Sequence, residues 1–247
     1  MAPIDRILVS CEHAGFRVPP RYAALFEGAE AALASHRGWD RGALRLARSL
    51  ARTLDAPLHA TRVTRLLVDT NRSLHHRRLF SEFTAVLDRR ERAEILARYY
   101  HPHRRRVEKR VCDWIARGDR VLHLAVHSFD PRLAPGRDAC DLGLLYDPRR
   151  RGETALCREW QATLRAGSAL RVRRNHPYRG RADGLTTHLR RQLPAGSYLG
   201  IELEANQARL ERGETARRLR RALAASAATL ALPGHRSAAR GPFPRGQ

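Results

Sequence analysis

Residues 121–131 read VLHLAVHSFDP. Gly118 precedes this short apolar run and Pro131 closes it. A run bounded in this way predicts a strand buried on both faces, as in a parallel sheet covered by helices. In an open α/β sheet, ligands bind just beyond the carboxyl ends of the strands. The strand would therefore deliver His127 to a site. A lone histidine at a strand end more often satisfies one buried hydrogen bond and does nothing else. The functional reading gains weight because other strand ends in the chain also finish in polar side chains.

Upstream, residues 6–10 (RILVS) predict a first strand that runs into Cys11, Glu12, His13, Ala14 and Gly15. Pro19 and Pro20 then stop any continuation. Residues 22–34 predict a helix. Residues 43–54 form a clear amphipathic helix, and Asp40 stands just before it, next to Gly42. Asp40 suits a helix cap as well as a site. Residues 58–63 and 65–69 are two short strand-like runs. The second leads into Asp69-Thr70-Asn71-Arg72-Ser73, where a planar guanidinium beside an amide suits bidentate recognition of a carboxylate. Residues 81–118 read as mostly helical, with a break or kink expected at Pro102.

Downstream, residues 137–141 predict a polar loop, residues 142–146 a strand, residues 153–164 a helix and residues 170–173 a short strand. The turn-rich segment Asn175-His176-Pro177-Tyr178-Arg179-Gly180 follows. The last strand, residues 198–203 (YLGIEL), places Glu202 and Glu204 on one face. Carboxylates there are costly unless they meet a cation or a basic partner. A final helix is predicted over residues 209–232. Strands alternate with helices, and no repeat or linker divides the chain. The expectation is a single three-layer α/β domain over residues 1–233, with a mostly parallel or mixed central sheet and helices on both faces. Residues 234–247 read as a disordered basic tail.

Of the 247 residues, 47 are basic and 25 acidic, a net charge of +22. Lys109 is the only lysine, and arginine is spread along nearly every segment. That spread indicates amino-acid usage as much as a binding surface, although such a charge attracts anions and nucleic acid non-specifically. The four cysteines, Cys11, Cys112, Cys140 and Cys157, form no C-x-x-C pair, and residues 1–6 lack an export pattern. The reading is a reduced cytoplasmic protein without a membrane span.

Taken together, the strand ends supply His13, Asp40 and His127, a tridentate set suited to a catalytic zinc with one position open to water. A glutamate from another strand end would act as general base, and an arginine with an asparagine would hold an anionic substrate. The segments VSCEHAG, HRGWDRGA, TRLLVDTNRS, HLAVHSFDP, NHPYRG and YLGIELEANQ, in this order, resemble the N-formylglutamate amidohydrolase family, whose fold is similar to that of zinc carboxypeptidases and aspartoacylases.

The resemblance implies one zinc ion, a small anionic N-acyl amino acid as substrate, and hydrolysis of its amide by metal-activated water. Glu204 is implied as the base, with Glu202 second. Asn71 and Arg72 are implied to bind the α-carboxylate. Arg65, Arg137 and Tyr178 are placed around the oxyanion, and Asn175 also on the substrate side. Zinc carboxypeptidases take their second ligand three residues after the first histidine, where this chain has Phe16. Asp40 is the replacement, with Glu12 in reserve.

Two other readings fit the same sequence. One is a zinc hydrolase of a peptide or cell-wall amide. The other is a basic protein that binds nucleic acid through residues 104–110 and 217–221, although the chain lacks any recognised nucleic-acid motif and interleaved aromatics to stack bases.

Overall fold

A computed structural model describes residues 3–133, 140–210 and 213–230. Arg137 and residues 234–247 lie outside the described residues. Six strands form one sheet: β1 (Arg6–Cys11), β2 (Leu58–Ala60), β3 (Val121–Phe129), β4 (Leu142–Leu145), β5 (Val172–Arg174) and β6 (Tyr198–Asn206). Their order is β2-β1-β3-β6-β4-β5. The first four run parallel, β4 is antiparallel to β6, and β5 is parallel to β4. The mixed sheet expected from the alternation of strands and helices is thus present, with β3 near its middle and buried at every position.

Helices cover both faces. On one, α2 (Ala43–Thr53) packs on the even-numbered side chains Leu122, Leu124 and Val126 of β3, α5 (Arg151–Gly167) packs on β6, and α7 (Glu214–Leu230) lies across α2 and α5. The odd-numbered side chains of β1 and β6, including Val9, Ile201 and Leu203, point the same way. On the other face, α4 (His101–Ile115) and α6 (Leu185–Gln192) pack on Leu8, Val121 and Tyr198. The period of two along a strand then places Glu12, His127, Glu202 and Glu204 on the α4 side of the sheet. One face is apolar along most of its length, while the other turns polar toward the carboxyl ends of β1, β3 and β6.

Several elements differ from expectation. The predicted helix over residues 22–34 splits into a 3₁₀ segment, Pro20–Phe26, and the short α1, Glu30–Ala34. Gly28, in the left-handed region at φ 74°, turns the chain between them. Residues 65–69 form turns instead of a strand. Leu66, Leu67 and Val68 are nevertheless buried, because they pack with Tyr22, Phe26 and Ile95 in a separate apolar cluster. The helical stretch around residues 89–115 is interrupted where Pro102 demanded it. Helix α3 (Arg89–Ile95) passes through a π-helical turn, Leu96–Tyr100, into α4, whose first turn accommodates the proline. Helix α6 was not anticipated, since its sequence LTTHLRRQ carries only two strongly apolar residues.

A buried ion pair ties α5 and α6 to the sheet. Arg190 Nε donates to Glu153 at 3.0 Å, and Glu153 also accepts the backbone N–H groups of Asp147 and Gly200. No helix among the described residues is long and apolar enough to cross a membrane, and all four cysteines are free thiols.

Candidate active site

The carboxyl ends of β1 and β3 open into a cavity of about 810 Å³. His13, two residues beyond β1, and His127, near the end of β3, reach its floor with their ring centroids 5.1 Å apart. Asp40 arrives from the turn before α2. That turn depends on Gly42, at φ 83°, where a Cβ would lie 2.7 Å from Leu210. Gly42 itself occupies the cap position of α2, which frees the Asp40 carboxylate. Its Oδ2 stands 3.0 Å from His127 Nδ1 and 3.3 Å from His13 Nδ1. The three candidate ligand atoms lie within 4.8 Å of one another, and all three residues are buried.

The outer nitrogen of each histidine faces a further carboxylate. His13 Nε2 is 2.7 Å from Asp69 Oδ1, and His127 Nε2 is 3.2 Å from Glu12 Oε2. This is how ligating histidines are usually fixed: the carboxylate takes one N–H and leaves the other nitrogen for the ion. Asp40 Oδ1 is buried with no hydrogen-bond partner. A carboxylate oxygen stripped of water in this way is costly without a cation; the Arg65 guanidinium stands 3.4 Å from it, and the oxygen accepts no hydrogen bond that would compete with an ion. Two imidazole nitrogens and one carboxylate make a donor set that fits zinc. Glu12, held in reserve as a ligand, instead stands behind His127, and its other oxygen meets His103 at 3.3 Å.

Glu204 lies beside His127 in the β3–β6 register. It lines the cavity, and its Oε2 is buried without a hydrogen-bond partner. Burial pushes its pKa up to about 8, with the Asp40 and Glu202 charges adding to the rise and His127 opposing it. Glu202 also lines the cavity but is less buried, and it accepts the hydroxyl hydrogen of Thr186. Asp40 behaves in the opposite way. Burial alone would raise its pKa, yet Arg65 and the two histidines hold it well below the usual range. Arg65 Nη1 is 3.4 Å from Asp40 Oδ1 and 3.0 Å from His13 Nδ1, so it guards the mouth of the triad.

Asn71, Arg72 and Tyr178, expected on the substrate side, line the same cavity. Asn71 Oδ1 accepts the N–H of Leu185 at the start of α6, and its amide approaches His127. Arg72 is pinned by the carbonyl of Asp183 at 2.8 Å and lines the cavity with Tyr178. Asn175 does not belong there. It lies in the left-handed region at φ 50°, and its Oδ1 accepts the N–H groups of Tyr146 and Gly180, so it shapes the loop that carries Tyr178.

Arg104 also requires correction. It heads residues 104–110, read as a candidate nucleic-acid surface, yet it is buried and donates to the carbonyls of Thr70 and Arg72. That surface thereby loses a member to the support of the DTNR loop. Sequence reasoning did not assign Asp69 or His103 any role. The signal for Asp69 was its place in the DTNR segment, two residues before Asn71.

The match to the N-formylglutamate amidohydrolase family model spans residues 5–210. The chain belongs to this family. Every site residue described above falls within that span. Among solved structures, the gene product Atu2144 of Agrobacterium tumefaciens shares 29% identity over 93% of each chain, with a TM-score of 0.74. The N-formylglutamate amidohydrolase of Ralstonia eutropha JMP134 shares the fold at 20% identity and a TM-score of 0.69, over 93% of this chain and 94% of that one. No curated protein matches the sequence. As a family member the chain is a hydrolase of an amide bond, with the α/β fold its strand pattern predicted.

Proposed function

We propose that this family member is a zinc-dependent hydrolase of N-acyl amino acids, with N-formylglutamate as its type substrate. The observation that carries the reading is the buried triad His13, Asp40 and His127, in which Asp40 Oδ1 accepts no hydrogen bond, with a Glu204 oxygen equally without one on the same cavity. These three residues would hold the ion. Bound there, zinc supplies a Lewis acid and a water of lowered pKa.

The chain's own residues do the rest. Glu204 takes a proton at its free oxygen and returns it to the leaving amine. Its burial suits this exchange, because a carboxyl poised near neutral pH both accepts and donates. Arg65 places positive charge where the acyl oxygen becomes negative, and Tyr178 offers a hydroxyl on the same cavity wall. Arg72, oriented by Asp183, and Asn71 receive the α-carboxylate. The products are a carboxylic acid, formate for a formyl substrate, and the free amino acid.

The clamp is tested by Arg72→Lys. Lysine keeps the charge but not the planar fork. The expected result is a fall in kcat/KM of roughly 10- to 100-fold, the worth of a charge-assisted hydrogen bond. The α-amide of the same substrate should be an equally poor substrate for the wild type. Equal rates on free-acid and amidated substrates would dismiss Arg72 as the clamp.

A further inference from the structure

A second, smaller cavity of about 300 Å³ is lined from the turn before α5, the loop before α6 and α6 itself. It shares no lining residue with the active-site cavity. Five arginines face it: Arg149, Arg150, Arg181, Arg190 and Arg191. Two of them are neutralised. Arg149 Nη2 donates to Asp147 Oδ2 at 2.8 Å, and Arg190 Nε donates to Glu153 Oε1 at 3.0 Å. Arg150 meets backbone carbonyls instead, those of Tyr198 at 3.1 Å and Leu193 at 2.9 Å. Arg181 and Arg191 are exposed and form no ion pair among the described residues. Three positive charges thus surround one hollow without a counter-charge. They repel one another, and an anion between them relieves the repulsion.

Arginine is abundant throughout the chain, so abundance alone marks nothing. Here the guanidinium groups converge on a concavity, and two of them are fixed in advance. Arg150 is held by the carbonyls named above, and Arg190 also donates to the carbonyl of Gly180 at 2.7 Å. A pre-organised fork loses little freedom when an anion arrives, and its geometry matches phosphate oxygens. No aromatic or aliphatic side chain lines the cavity, so nothing in it would hold a base or an acyl chain. We infer that this cavity is a binding site for a phosphate group, separate from the active site and recognised through Arg150, Arg181 and Arg191. The inference is independent of the metal reading. Its neighbour is the active-site wall: Arg181 sits between Arg179 and Ala182, which line the larger cavity with Tyr178 and Asp183. A phosphate held by Arg181 braces that wall from behind.

The test titrates the full chain, purified without phosphate, with inorganic phosphate in a calorimeter at physiological salt. Saturable binding of about one phosphate per chain is expected, with a Kd below about 1 mM. Arg181→Gln with Arg191→Gln should weaken it by roughly 10- to 100-fold, the worth of charge-assisted hydrogen bonds. Arg77→Gln with Arg78→Gln removes the same charge at the larger cavity and should leave phosphate affinity within about twofold. Phosphate should also slow amide hydrogen exchange over residues 179–184. Adenosine monophosphate tells the sources apart: affinity equal to that of phosphate means that an esterified group is taken as readily as the free ion, and weaker binding assigns the site to free phosphate. The inference is overturned if phosphate shows no saturable binding, or if the two double variants weaken it equally, which would be the general attraction of a basic protein. Slowed exchange over residues 71–80 instead of 179–184 would place the anion in the larger cavity and overturn it too. So would single-stranded DNA that displaces phosphate at far lower concentration, which would make the surface a nucleic-acid contact.

Discussion

Glu204→Gln is expected to lower the rate of hydrolysis by roughly a hundredfold or more, with the fold and the bound metal retained. Glutamine has the shape of glutamate but cannot shuttle a proton. Glu204 is not one of the triad, so metal content should not change. The same variant has a second signature in stability. Glu204 has an ordinary pKa of 4.5 and a value of about 8 in the folded, metal-free chain.

Between those two values the folded state keeps a proton that the unfolded state releases. Wild-type stability therefore falls as pH rises from about 4.5 to 8, whereas glutamine does not titrate. At pH 7 the metal-free variant should be the more stable protein by on the order of 1 kcal/mol or more. Urea unfolding at pH 5 and pH 8 measures this gap, which should widen with pH. A variant that loses its activity and gains stability identifies a carboxylate kept in the core for chemistry. Full activity in Glu204→Gln together with inactivity in Glu202→Gln would transfer the role to Glu202, one pleat away on the same face.

The second large effect concerns the frame. Glu153→Ala is expected to cost about 3–5 kcal/mol, because it leaves Arg190 charged and buried without its partner. Two backbone N–H groups, those of Asp147 and Gly200, lose their acceptor as well. Since a domain is stable by only about 5–15 kcal/mol, this one change should bring the chain close to unfolding at 25 °C. Urea denaturation of the variant reads the cost directly. The double replacement Glu153→Met with Arg190→Met should recover the part due to the unpaired Arg190 charge, as apolar groups of similar volume need no partner, while the cost of the two unsatisfied backbone N–H groups stays. A loss below about 1 kcal/mol in the single variant would show that the pair is solvated and not part of the core.

How much of this was legible in the sequence follows from the physics of each element. β3 and β6 were legible because strands buried on both faces are nearly continuous apolar runs, so the polar residues in them, His127, Glu202 and Glu204, stood out. Asp40 was legible as a polar residue before an amphipathic helix, but its choice between capping and the site was not. That choice was made by Gly42, whose left-handed turn takes over the cap position.

The interior ion pair Glu153–Arg190 was illegible. Arginine occurs throughout the chain, and nothing local distinguishes the one that turns inward. The same holds for Arg104, one arginine of a basic run, which the DTNR loop draws into the core. Helix α6 was missed because its stability comes from packing Leu185 and Leu189 under the sheet, not from an apolar stripe of its own. Residues 65–69 resemble a strand because Leu66, Leu67 and Val68 are a short apolar run. These three are apolar in order to fill a satellite cluster with Tyr22 and Phe26.

The central claim is that a metal held by His13, Asp40 and His127 is needed to hydrolyse an N-acyl amino acid. It is tested most directly by measuring formate released from N-formylglutamate by one preparation in three states: as purified, after chelation and dialysis, and after zinc is restored. The account predicts about one metal per active chain, loss of formate release on chelation, its return with zinc, and no return in Asp40→Ala. Formate released at the same rate by the chelated protein, or none from a fully zinc-loaded one, would contradict it.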